Sequence, residues 1–314
     1  MSVAIVKKPA PPLAERGMSR KELLQQAQQI DNDEFYTRYE DVEKELDMYP
    51  KSVWKNKVVF CNCDDAVDDN NDKRRTSAFA LYFLNNFNVL GLKKLICTHY
   101  GENVDLFNQG SKGYIFTKDG YREGKKVFPQ NYTGSFDDPL SLKILREDAD
   151  IVCTNPPFSR AIDYWRTIIE SGKRFIIISN ITNAINTAYI PYFKDNLVWA
   201  GYNRVDWYLT PKRELTRAAG TWYTNIPIKN RLYKNLKFVP LEDIPEKYKR
   251  YDDSKTLIVD KCYIPSDYKK PFAVSARTIL HGLLEKGYII VQDTRYTPSM
   301  NGKECFARVL VKKI

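Results

Sequence analysis

Short apolar runs alternate with amphipathic stretches through the first two thirds of the chain. The runs at 57–62, 94–98, 150–154 and 174–179 predict buried strands, and the stretches at 77–87 and 161–171 predict helices. Because strands and helices alternate, the pattern predicts an α/β fold with a doubly wound, mainly parallel sheet over about 50–200. Strands that are apolar throughout are covered on both faces, and ligands of such sheets bind at the carboxyl ends of the strands.

The N-terminal residues carry a different pattern. Residues 1–17 are rich in Pro, Ala and Lys and predict a flexible arm. The capping box at 19–22 predicts a short helix that runs to about Ile30. A second amphipathic stretch follows at 40–49.

Two further segments are predicted to extend the sheet. The stretch 113–127 predicts a hairpin that turns at Asp119–Gly120 and lies at a sheet edge. Beyond Trp199 the helical periodicity fades, and short aromatic-rich strands such as 221–226 are predicted.

The positive charge of the 314-residue chain is concentrated in its last third. Lys and Arg number 49 against 39 Asp and Glu, a formal net charge of +10. Residues 201–314 hold 22 basic and 12 acidic side chains, whereas the first 200 residues hold 27 of each. This asymmetry indicates a C-terminal region that faces a polyanion, joined to a charge-balanced core. The alternative is a basic surface that only aids solubility.

The composition argues against several classes of protein. With 43% hydrophobic and 28% charged residues the chain is typical of soluble globular proteins. No apolar run is long enough for a membrane span, and the first residues do not resemble a signal peptide, so we expect a cytoplasmic protein. Six cysteines are too sparse for a disulfide scaffold. Without paired CxxC units, and with His99 and His281 as the two histidines, no metal site is predicted.

The strongest chemical signal is the motif Asn155, Pro156, Pro157, Phe158, directly after the strand predicted at 150–154. A rigid Pro-Pro turn that ends a strand is the structural alternative. The functional interpretation is a pocket for an exocyclic amine of a base. The side-chain oxygen of Asn155 and the carbonyl of Pro156 would both accept hydrogen bonds from the amine and direct its lone pair towards a methyl group.

The rest of the motif suits the same reaction. Proline has a fixed φ and no N–H, so its carbonyl is free to face the pocket, and Phe158 offers a flat apolar surface for the base. No catalytic histidine or metal is needed. In a duplex the amine is unreachable, so the nucleotide must be flipped out. The methyl donor expected for this chemistry is S-adenosylmethionine.

The loop expected to bind that donor lacks the usual glycines. After the first predicted strand the chain reads Cys61, Asn62, Cys63, Asp64, Asp65 where a Gly-rich turn is expected. A turn made by Asn and Asp can still approach a ligand through its backbone. An acidic, solvated loop is the alternative.

Taken in order, these segments resemble the EcoRI-type adenine-specific DNA methyltransferases over roughly 30–314. The segments that carry the resemblance are 33–37, 58–65, 91–96, 150–159, 175–182, 222–225, 301–303 and 308–313. The resemblance implies a Rossmann-like, S-adenosylmethionine-dependent methyltransferase fold with a C-terminal DNA-recognition region. It also implies methylation of adenine in a short sequence of double-stranded DNA, by a monomer.

The resemblance also implies roles for individual residues. Donor binding is implied for Phe35, Tyr36, Thr37, Cys61, Asn62, Cys63, Asp64, Glu102, Ser135, Phe136 and Asn155. Ser135 stands where the family has an aspartate, so Asp137 or Asp138 is expected to substitute for it. Candidate DNA-binding residues are Arg204, Lys212, Arg213, Arg217, Lys229 and Arg231.

These inferences predict three segments and one activity. The segments are an N-terminal arm and first helix at 1–30, a catalytic core at 31–200, and a DNA-binding region at 201–314 that completes the sheet. The predicted activity is transfer of a methyl group to the N6 amine of a flipped adenine, in restriction-modification or phage genome protection. The alternatives are an RNA adenine or protein glutamine methyltransferase, or a catalytically silent DNA-binding homologue.

Overall fold

The computed structural model describes most of the chain after residue 35. The described residues are 36–64, 77–100, 113–117, 128–129, 132–210, 214–228, 236–251, 256–291, 299–300, 303–304 and 307–314. The predicted N-terminal arm, the first helix and the turn at Asp119–Gly120 lie outside them.

A large mixed sheet of eight strands forms the centre of the molecule. Its strands are β1 (Tyr36–Thr37), β2 (Val58–Cys61), β3 (Lys94–Thr98), β4 (Gly113–Thr117), β5 (Ile151–Thr154), β6 (Arg174–Asn180), β7 (Trp199–Leu209) and β8 (Leu215–Thr224). They are ordered β1-β7-β8-β6-β5-β2-β3-β4 across the sheet. The four strands predicted from apolar runs are β2, β3, β5 and β6, and they lie side by side in its middle.

The prediction of a mainly parallel sheet is corrected by the pairing of the outer strands. β3, β2, β5 and β6 pair in parallel, whereas β4, β8, β7 and β1 are all antiparallel to their neighbours. The physical reason is clearest for β7 and β8. Five residues connect them, too few for the crossover that parallel strands require, so the two strands form an antiparallel pair. β4 lies at the edge of the sheet, as predicted for its segment.

Helices connect the strands. They are α1 (Tyr39–Leu46), α2 (Ala78–Leu90), α3 (Pro139–Lys143), α4 (Ala161–Glu170), α5 (Ile190–Lys194) and, further on, α6 (Ala276–Leu280). α2 has clear stop and start signals: the Ser77 hydroxyl accepts a hydrogen bond from the N–H of Ala80, and Gly91 ends the helix with φ +66°. Short 3-10 turns follow β5 at Phe158–Arg160 and β6 at Ile181–Ile185.

Both faces of the sheet are covered by apolar side chains. Alternate residues of β2 belong to different clusters: Val58 and Phe60 pack on one face, and Val59 and Cys61 on the other. α4 and α5 pack on the first face, whereas α1 and α2 pack on the second. This double cover explains why the central strands are apolar throughout.

The C-terminal residues form a smaller sheet. Its strands are β10 (Lys249–Tyr251), β11 (Leu257–Val259), β13 (Phe272–Val274), β14 (Tyr288–Ile290) and β17 (Val309–Lys313), in the order β10-β11-β13-β17-β14. β9 (Lys237–Val239) pairs with β12 (Tyr263–Pro265), and β15 (Ser299–Met300) pairs with β16 (Lys303–Glu304). We call residues 236–314 the C-terminal unit.

The C-terminal unit and the large sheet share one apolar cluster. It contains Phe60 and Ile177 of the large sheet together with Phe272 and Val309 of the small sheet. Helix α6 of the C-terminal unit contacts the Ile181–Ile185 turn, directly after the carboxyl end of β6. The predicted domain boundary after residue 200 falls inside β7.

A buried carboxylate fixes α1 against an irregular part of β7. Glu45 accepts hydrogen bonds from the backbone N–H groups of Tyr202 (2.8 Å) and Asn203 (2.7 Å), where the pairing of β7 with β8 shifts register. The Asn203 amide and the Tyr49 hydroxyl also donate to it. A side chain at Gly201 would collide with the Glu45 carboxylate, so the close approach requires glycine there.

Candidate active site

The loops that follow β2 and β5 are joined by a buried carboxylate. Asp64 accepts hydrogen bonds from the Thr154 hydroxyl and from the backbone N–H of Asn155 (3.1 Å). The hydroxyl oxygen of Thr154 in turn accepts the N–H of Cys63 (3.2 Å). Asp64 and Thr154 are both buried. The CNCDD loop and the Asn155 motif are therefore held as one unit at the carboxyl edge of the sheet.

Asn62 connects this unit to α4. Its side-chain oxygen accepts a hydrogen bond from the Tyr164 hydroxyl (2.7 Å). Burial raises the pKa of Tyr164 well above its usual value, so the hydroxyl stays protonated and can donate. The Asn62 side-chain nitrogen is also buried, and it has no hydrogen-bond partner within the described residues. A buried amide donor of this kind is a place where a ligand oxygen would be bound.

The segment containing Ser135 and Phe136 packs beside Tyr164. The buried Phe136 ring meets the Tyr164 ring edge-on, with centroids 5.0 Å apart. The Arg160 guanidinium lies 4.7 Å from the centre of the Phe136 ring and forms an ion pair with Asp137 (2.7 Å). That ion pair lowers the pKa of Asp137, and the Ser135 hydroxyl donates to the same carboxylate. The predicted donor-binding segment thus lies next to the Asn62 loop.

Asp138 has a structural role at the start of α3. Burial acts to raise its pKa, but the N–H and hydroxyl of Thr133 and the N–H of Leu140 all donate to it, and the net effect lowers the pKa. Its carboxylate therefore caps the helix. Asp137 and Asp138 are the two carboxylates expected to replace the family's aspartate, and both have partners within the protein. Asp137 pairs with Arg160, and Asp138 caps α3.

The Asn155–Phe158 motif leaves the sheet in an extended conformation. Asn155 is half-buried, Pro156 is buried, and Pro157 has φ −61° and ψ +127°. Phe158 is half-buried, and its ring meets that of Tyr208 in β7 edge-on, with centroids 6.0 Å apart. The motif therefore enters the Phe158–Arg160 turn with its aromatic ring placed against β7.

The N-terminal strand reaches the same corner. Thr37 of β1 lies opposite Tyr208 in the pairing with β7, and Tyr36 lies opposite Leu209. Thr37 is buried. Because Tyr208 contacts Phe158, the predicted donor-binding residues of β1 and the predicted base pocket both lie next to one β7 residue.

The pair formed by β7 and β8 extends past the neighbouring strand. Gly220 of β8 lies opposite Asn180, the last residue of β6, so residues 205–209 and 215–219 continue beyond the carboxyl edge. We call these residues the β7–β8 arm. On one face of the arm Trp207, which is 39% exposed, lies opposite the exposed Arg217. At the base of the arm Arg204 forms an ion pair with Asp206 (2.6 Å).

Comparison with known proteins decides the family. The family described as adenine-specific methyltransferase EcoRI matches residues 23–220, a range that includes every residue of the site described above. The chain belongs to the EcoRI family of adenine-specific methyltransferases. Its enzymatic activity is therefore that of a DNA adenine methyltransferase, as the motif at Asn155 predicts.

Curated relatives agree with the assignment of this EcoRI-family methyltransferase. It is 29% identical to the Type II methyltransferase M.EcoRI of Escherichia coli over 92% of its own length and 96% of that protein. It is 34% identical to the Type II methyltransferase M.MpnI of Mycoplasma pneumoniae over 56% of its length, and 36% identical to M.MgeORF184P of Mycoplasma genitalium. These two matches span about half of each Mycoplasma protein. No solved structure matches the chain.

The structure brings some of the predicted site residues of the EcoRI-family methyltransferase together. Asn62, Cys63, Asp64, Ser135, Phe136 and the Asn155–Phe158 motif meet at the carboxyl edge, and Tyr36 and Thr37 approach through β7. Cys61 is fully buried in β2, which limits any ligand contact to its backbone. Other predicted residues lie outside the described part of the chain, namely Phe35, Glu102, Lys212, Arg213, Lys229 and Arg231.

Four residues of the site were not predicted. Thr154 and Tyr164 supply the hydroxyl groups that join the loops, Arg160 holds Asp137, and Tyr208 supports Phe158. A signal existed for Thr154, because it is a polar residue at the end of an apolar strand. The partners of the other three are distant in the chain, so the sequence pattern offered no comparable signal.

The described residues contain neither a helix suited to a membrane nor a metal-binding cluster. None of their helices combines the length and apolar character needed to cross a bilayer. Their His, Cys, Asp and Glu side chains form no group of three suited to a metal ion.

Proposed function

We propose that this methyltransferase moves a methyl group from S-adenosylmethionine to the N6 amine of an adenine flipped out of duplex DNA. The observation that carries the proposal is the set of hydrogen bonds that link Asp64, Thr154, Cys63 and the Asn155 N–H, which we call the Asp64 junction. Through Thr154 and the Asn155 N–H it fixes the donor-side loop and the Asn155 motif in one position. A transfer reaction needs such a fixed geometry, since donor and acceptor atoms must meet in line.

Asn155 and Pro156 would orient the amine. The lone pair of an adenine amine is delocalised into the ring, which makes the nitrogen a poor nucleophile. Hydrogen bonds from its two N–H groups to the Asn155 side-chain oxygen and the Pro156 carbonyl would hold the nitrogen closer to a tetrahedral shape. The nitrogen loses its proton readily once it is methylated, so a strong general base is not required.

Phe158 would bind the base itself. Its half-buried ring is held by the edge-on contact with Tyr208, which leaves the ring in one orientation. Stacking of a base on such a ring contributes about 1–3 kcal/mol. This contact offsets part of the cost of removing the nucleotide from the duplex, which is a few kcal/mol.

The residues of the donor-side loop fit S-adenosylmethionine. The buried side-chain nitrogen of Asn62, which has no partner within the described residues, would donate to an oxygen of the donor. Cys63, Asp64 and Phe136 would line the same site, with Tyr36 and Thr37 closing it and Cys61 contributing its backbone. When bound, the donor supplies a methyl group on a positively charged sulfur, which is already an activated leaving group.

The DNA would approach over the carboxyl edge. The β7–β8 arm projects beside Phe158 and exposes Trp207 next to Arg217, a pairing of aromatic and cationic side chains that suits nucleic acid. The predicted DNA-binding residues Lys212 and Arg213 connect the two strands of this arm. We assign DNA recognition to residues 201–314, and to residues 31–200 a doubly wound, Rossmann-like catalytic core.

The names of the relatives support a biological role. Three relatives are named Type II methyltransferases, which supports a role of this kind for the chain. We propose that this chain methylates one adenine within a short site in duplex DNA, in restriction-modification or in phage genome protection.

The proposal is tested by labelled methyl transfer. The chain, the Asn155→Ala variant and the control Ser159→Ala are incubated with labelled S-adenosylmethionine and unmethylated duplex DNA, RNA or protein. We expect label in DNA alone, no detectable transfer by Asn155→Ala, and normal donor binding by that variant in calorimetry. Ser159 is an exposed neighbour, so Ser159→Ala should retain activity. Turnover by Asn155→Ala, or label in RNA or protein instead of DNA, would contradict the proposal.

A further inference from the structure

Three lysines of the C-terminal unit lie against a stacked pair of tyrosines. The Tyr248 and Tyr263 rings are nearly parallel, at 18°, with centroids 5.1 Å apart. The Lys237 ammonium lies 5.2 Å from the centre of the Tyr263 ring, and those of Lys247 and Lys261 lie 5.1 and 4.8 Å from that of Tyr248. We call these five residues the lysine patch. All three lysines are exposed.

The backbone of the patch is held by hydrogen bonds. The Lys237 N–H donates to the carbonyl of Cys262 (2.8 Å), where β9 meets β12. The Lys261 carbonyl accepts from the hydroxyl of Thr278 (3.1 Å) in α6. The backbone at Lys237 and Lys261 is therefore held in place, so both lysines extend from fixed points of the fold.

The charges of the patch are not neutralised by its neighbours in sequence. Glu246, next to Lys247, forms an ion pair with Lys249. Asp260, next to Lys261, forms a partly buried ion pair with Arg308 (2.7 Å). Within the described residues the three lysines of the patch form no ion pair. Their ammonium groups are thus available to an external anion.

The backbone at Lys261 is also unusual. Its φ of +60° lies in the left-handed region, where a residue with a side chain is strained by about 1 kcal/mol relative to glycine. Glycine would fit the turn without strain. The lysine side chain instead reaches back over Tyr248, in agreement with a use for the ammonium group.

The patch is attached to the catalytic edge through one helix. Thr278, which binds the Lys261 carbonyl, belongs to α6, and α6 packs on the Ile181–Ile185 turn. That turn follows the carboxyl end of β6, next to the base of the β7–β8 arm. A polymer lying across this edge could therefore be contacted by the C-terminal unit as well as by the arm.

We infer that the lysine patch binds the phosphate backbone of duplex DNA outside the flipped nucleotide and independently of sequence. This inference rests on the proposed function and adds a second contact to it. Exposed cations without ion-pair partners among the described residues, in a basic C-terminal region, match the regular negative charge of a duplex. The lysines are spread over three segments of the chain, and their grouping was not predicted.

The salt dependence of DNA binding tests the inference. The full chain and a triple variant, Lys237→Gln, Lys247→Gln and Lys261→Gln, are titrated with a fluorescent random-sequence duplex of about 30 base pairs at several salt concentrations. Each lost phosphate contact reduces the slope of log Kd against log salt by about 0.9, so we expect the slope to fall by about 2–3. The matching Lys→Arg triple variant keeps the charge and should retain the slope.

Matched controls separate this effect from a general loss of charge. Lys51, Lys55 and Lys93 are exposed, lie in the segments leading into β2 and β3, and should change the slope little when replaced by Gln together. If the first triple variant does not fold, Lys247→Gln alone should still lower the slope by about 0.9. An unchanged slope, or an equal change in the control, overturns the inference.

The outcome also distinguishes the two proposals. If the wild-type chain methylates DNA but the patch variant keeps its slope, the inference fails and the proposed function stands. If the wild-type chain transfers no methyl group to DNA, the proposed function itself fails. Poly-glutamate that competes as well as duplex DNA at equal charge would point to an acidic protein surface and overturn the inference.

Discussion

At the residue scale, the buried carboxylate of Asp64 is the centre of the site. In the proposal it lines the donor site, and its hydrogen bonds join the loop that would bind the donor to the motif that would bind the base. Two of its partners, the Thr154 hydroxyl and the Asn155 N–H, are donors. Both donate to the same carboxylate oxygen, Oδ2, and a carboxylate oxygen accepts hydrogen bonds more strongly than an amide oxygen does.

We therefore expect Asp64→Asn to reduce methyl transfer and stability together. The weaker acceptor should weaken both hydrogen bonds to this oxygen, at a cost of about 1–3 kcal/mol of unfolding free energy. Transfer should fall at least tenfold, because the Asn155 motif loses its fixed position. Urea unfolding and initial rates at saturating donor measure the two effects.

Thr154→Val provides the comparison for Asp64→Asn. It removes the hydroxyl that donates to Asp64 and accepts from Cys63, but leaves the carboxylate bound to the Asn155 N–H, so methyl transfer should fall less than in Asp64→Asn. An Asp64→Asn variant that transfers methyl groups at the wild-type rate would show that the junction does not position the motif.

Much of this site could be predicted at the residue scale. Asn155–Phe158 stands out because of its unusual composition and its place after an apolar strand, and Asn62 to Asp64 stand out by resemblance. Tyr208 and Arg160 could not be found in this way. Their contacts depend on how β7 and the Phe158–Arg160 turn are placed in three dimensions, and no local pattern specifies that.

At the element scale, the irregularity in β7 depends on a group from another element. Glu45 of α1 receives its hydrogen bonds where the strand shifts register, and the strand then continues into the β7–β8 arm. Burial raises the pKa of Glu45 from its ordinary 4.5 to about 7, although its four donors act in the opposite direction. The contribution of this contact to the free energy of unfolding therefore depends on pH.

The raised pKa of Glu45 predicts how the free energy of unfolding changes with pH. The folded chain retains the Glu45 proton up to about pH 7, whereas the unfolded chain loses it near pH 4.5. This contribution to the unfolding free energy is complete below pH 4.5 and is lost as pH rises through 7, at about 1.4 kcal/mol per pH unit. Over the interval between the two pKa values the total is about 3 kcal/mol.

Glu45→Gln isolates this contribution from other titrating groups. The variant cannot titrate at this position, so the difference in unfolding free energy between wild type and variant should decrease from pH 5 to pH 7 and then level off. Urea titrations at four pH values measure it. A difference that is constant over this range would place the pKa of Glu45 near its ordinary value.

Apolar patterns in the sequence predict where the strands and helices lie, but not the direction of each strand. The central strands and α2 and α4 were predicted within a few residues because each is bounded by a change in periodicity. The antiparallel outer strands were not predicted as such, since direction depends on the length and path of a connection and not on the strand's own residues. The sequence predicted short strands beyond Trp199, whereas β7 and β8 are ten or eleven residues long.

At the scale of the whole molecule, the two sheets are expected to unfold as one body because they share an apolar cluster. Ile279 of α6 is buried in that cluster, so Ile279→Ala should lower the unfolding free energy by about 2–4 kcal/mol. All five tryptophans lie before residue 223, in the part built around the large sheet. Tryptophan fluorescence during urea unfolding therefore reports on the large sheet alone, and its midpoint should shift.

Ile289→Ala is the matched control for this experiment. Ile289 belongs to the small sheet but is 45% exposed, so its truncation should change the midpoint much less. A tryptophan midpoint unaffected by Ile279→Ala would mean that the C-terminal unit unfolds separately.

The shared cluster also constrains how target preference could diverge within such a lineage. If the C-terminal unit recognises the target sequence, it cannot be exchanged between relatives as an independent domain. Its buried apolar side chains must fit those of the catalytic sheet. A recombinant joined within β7 would inherit mismatched interiors. New specificities would then arise by gradual replacement of outward-facing side chains while the inner ones stay fixed.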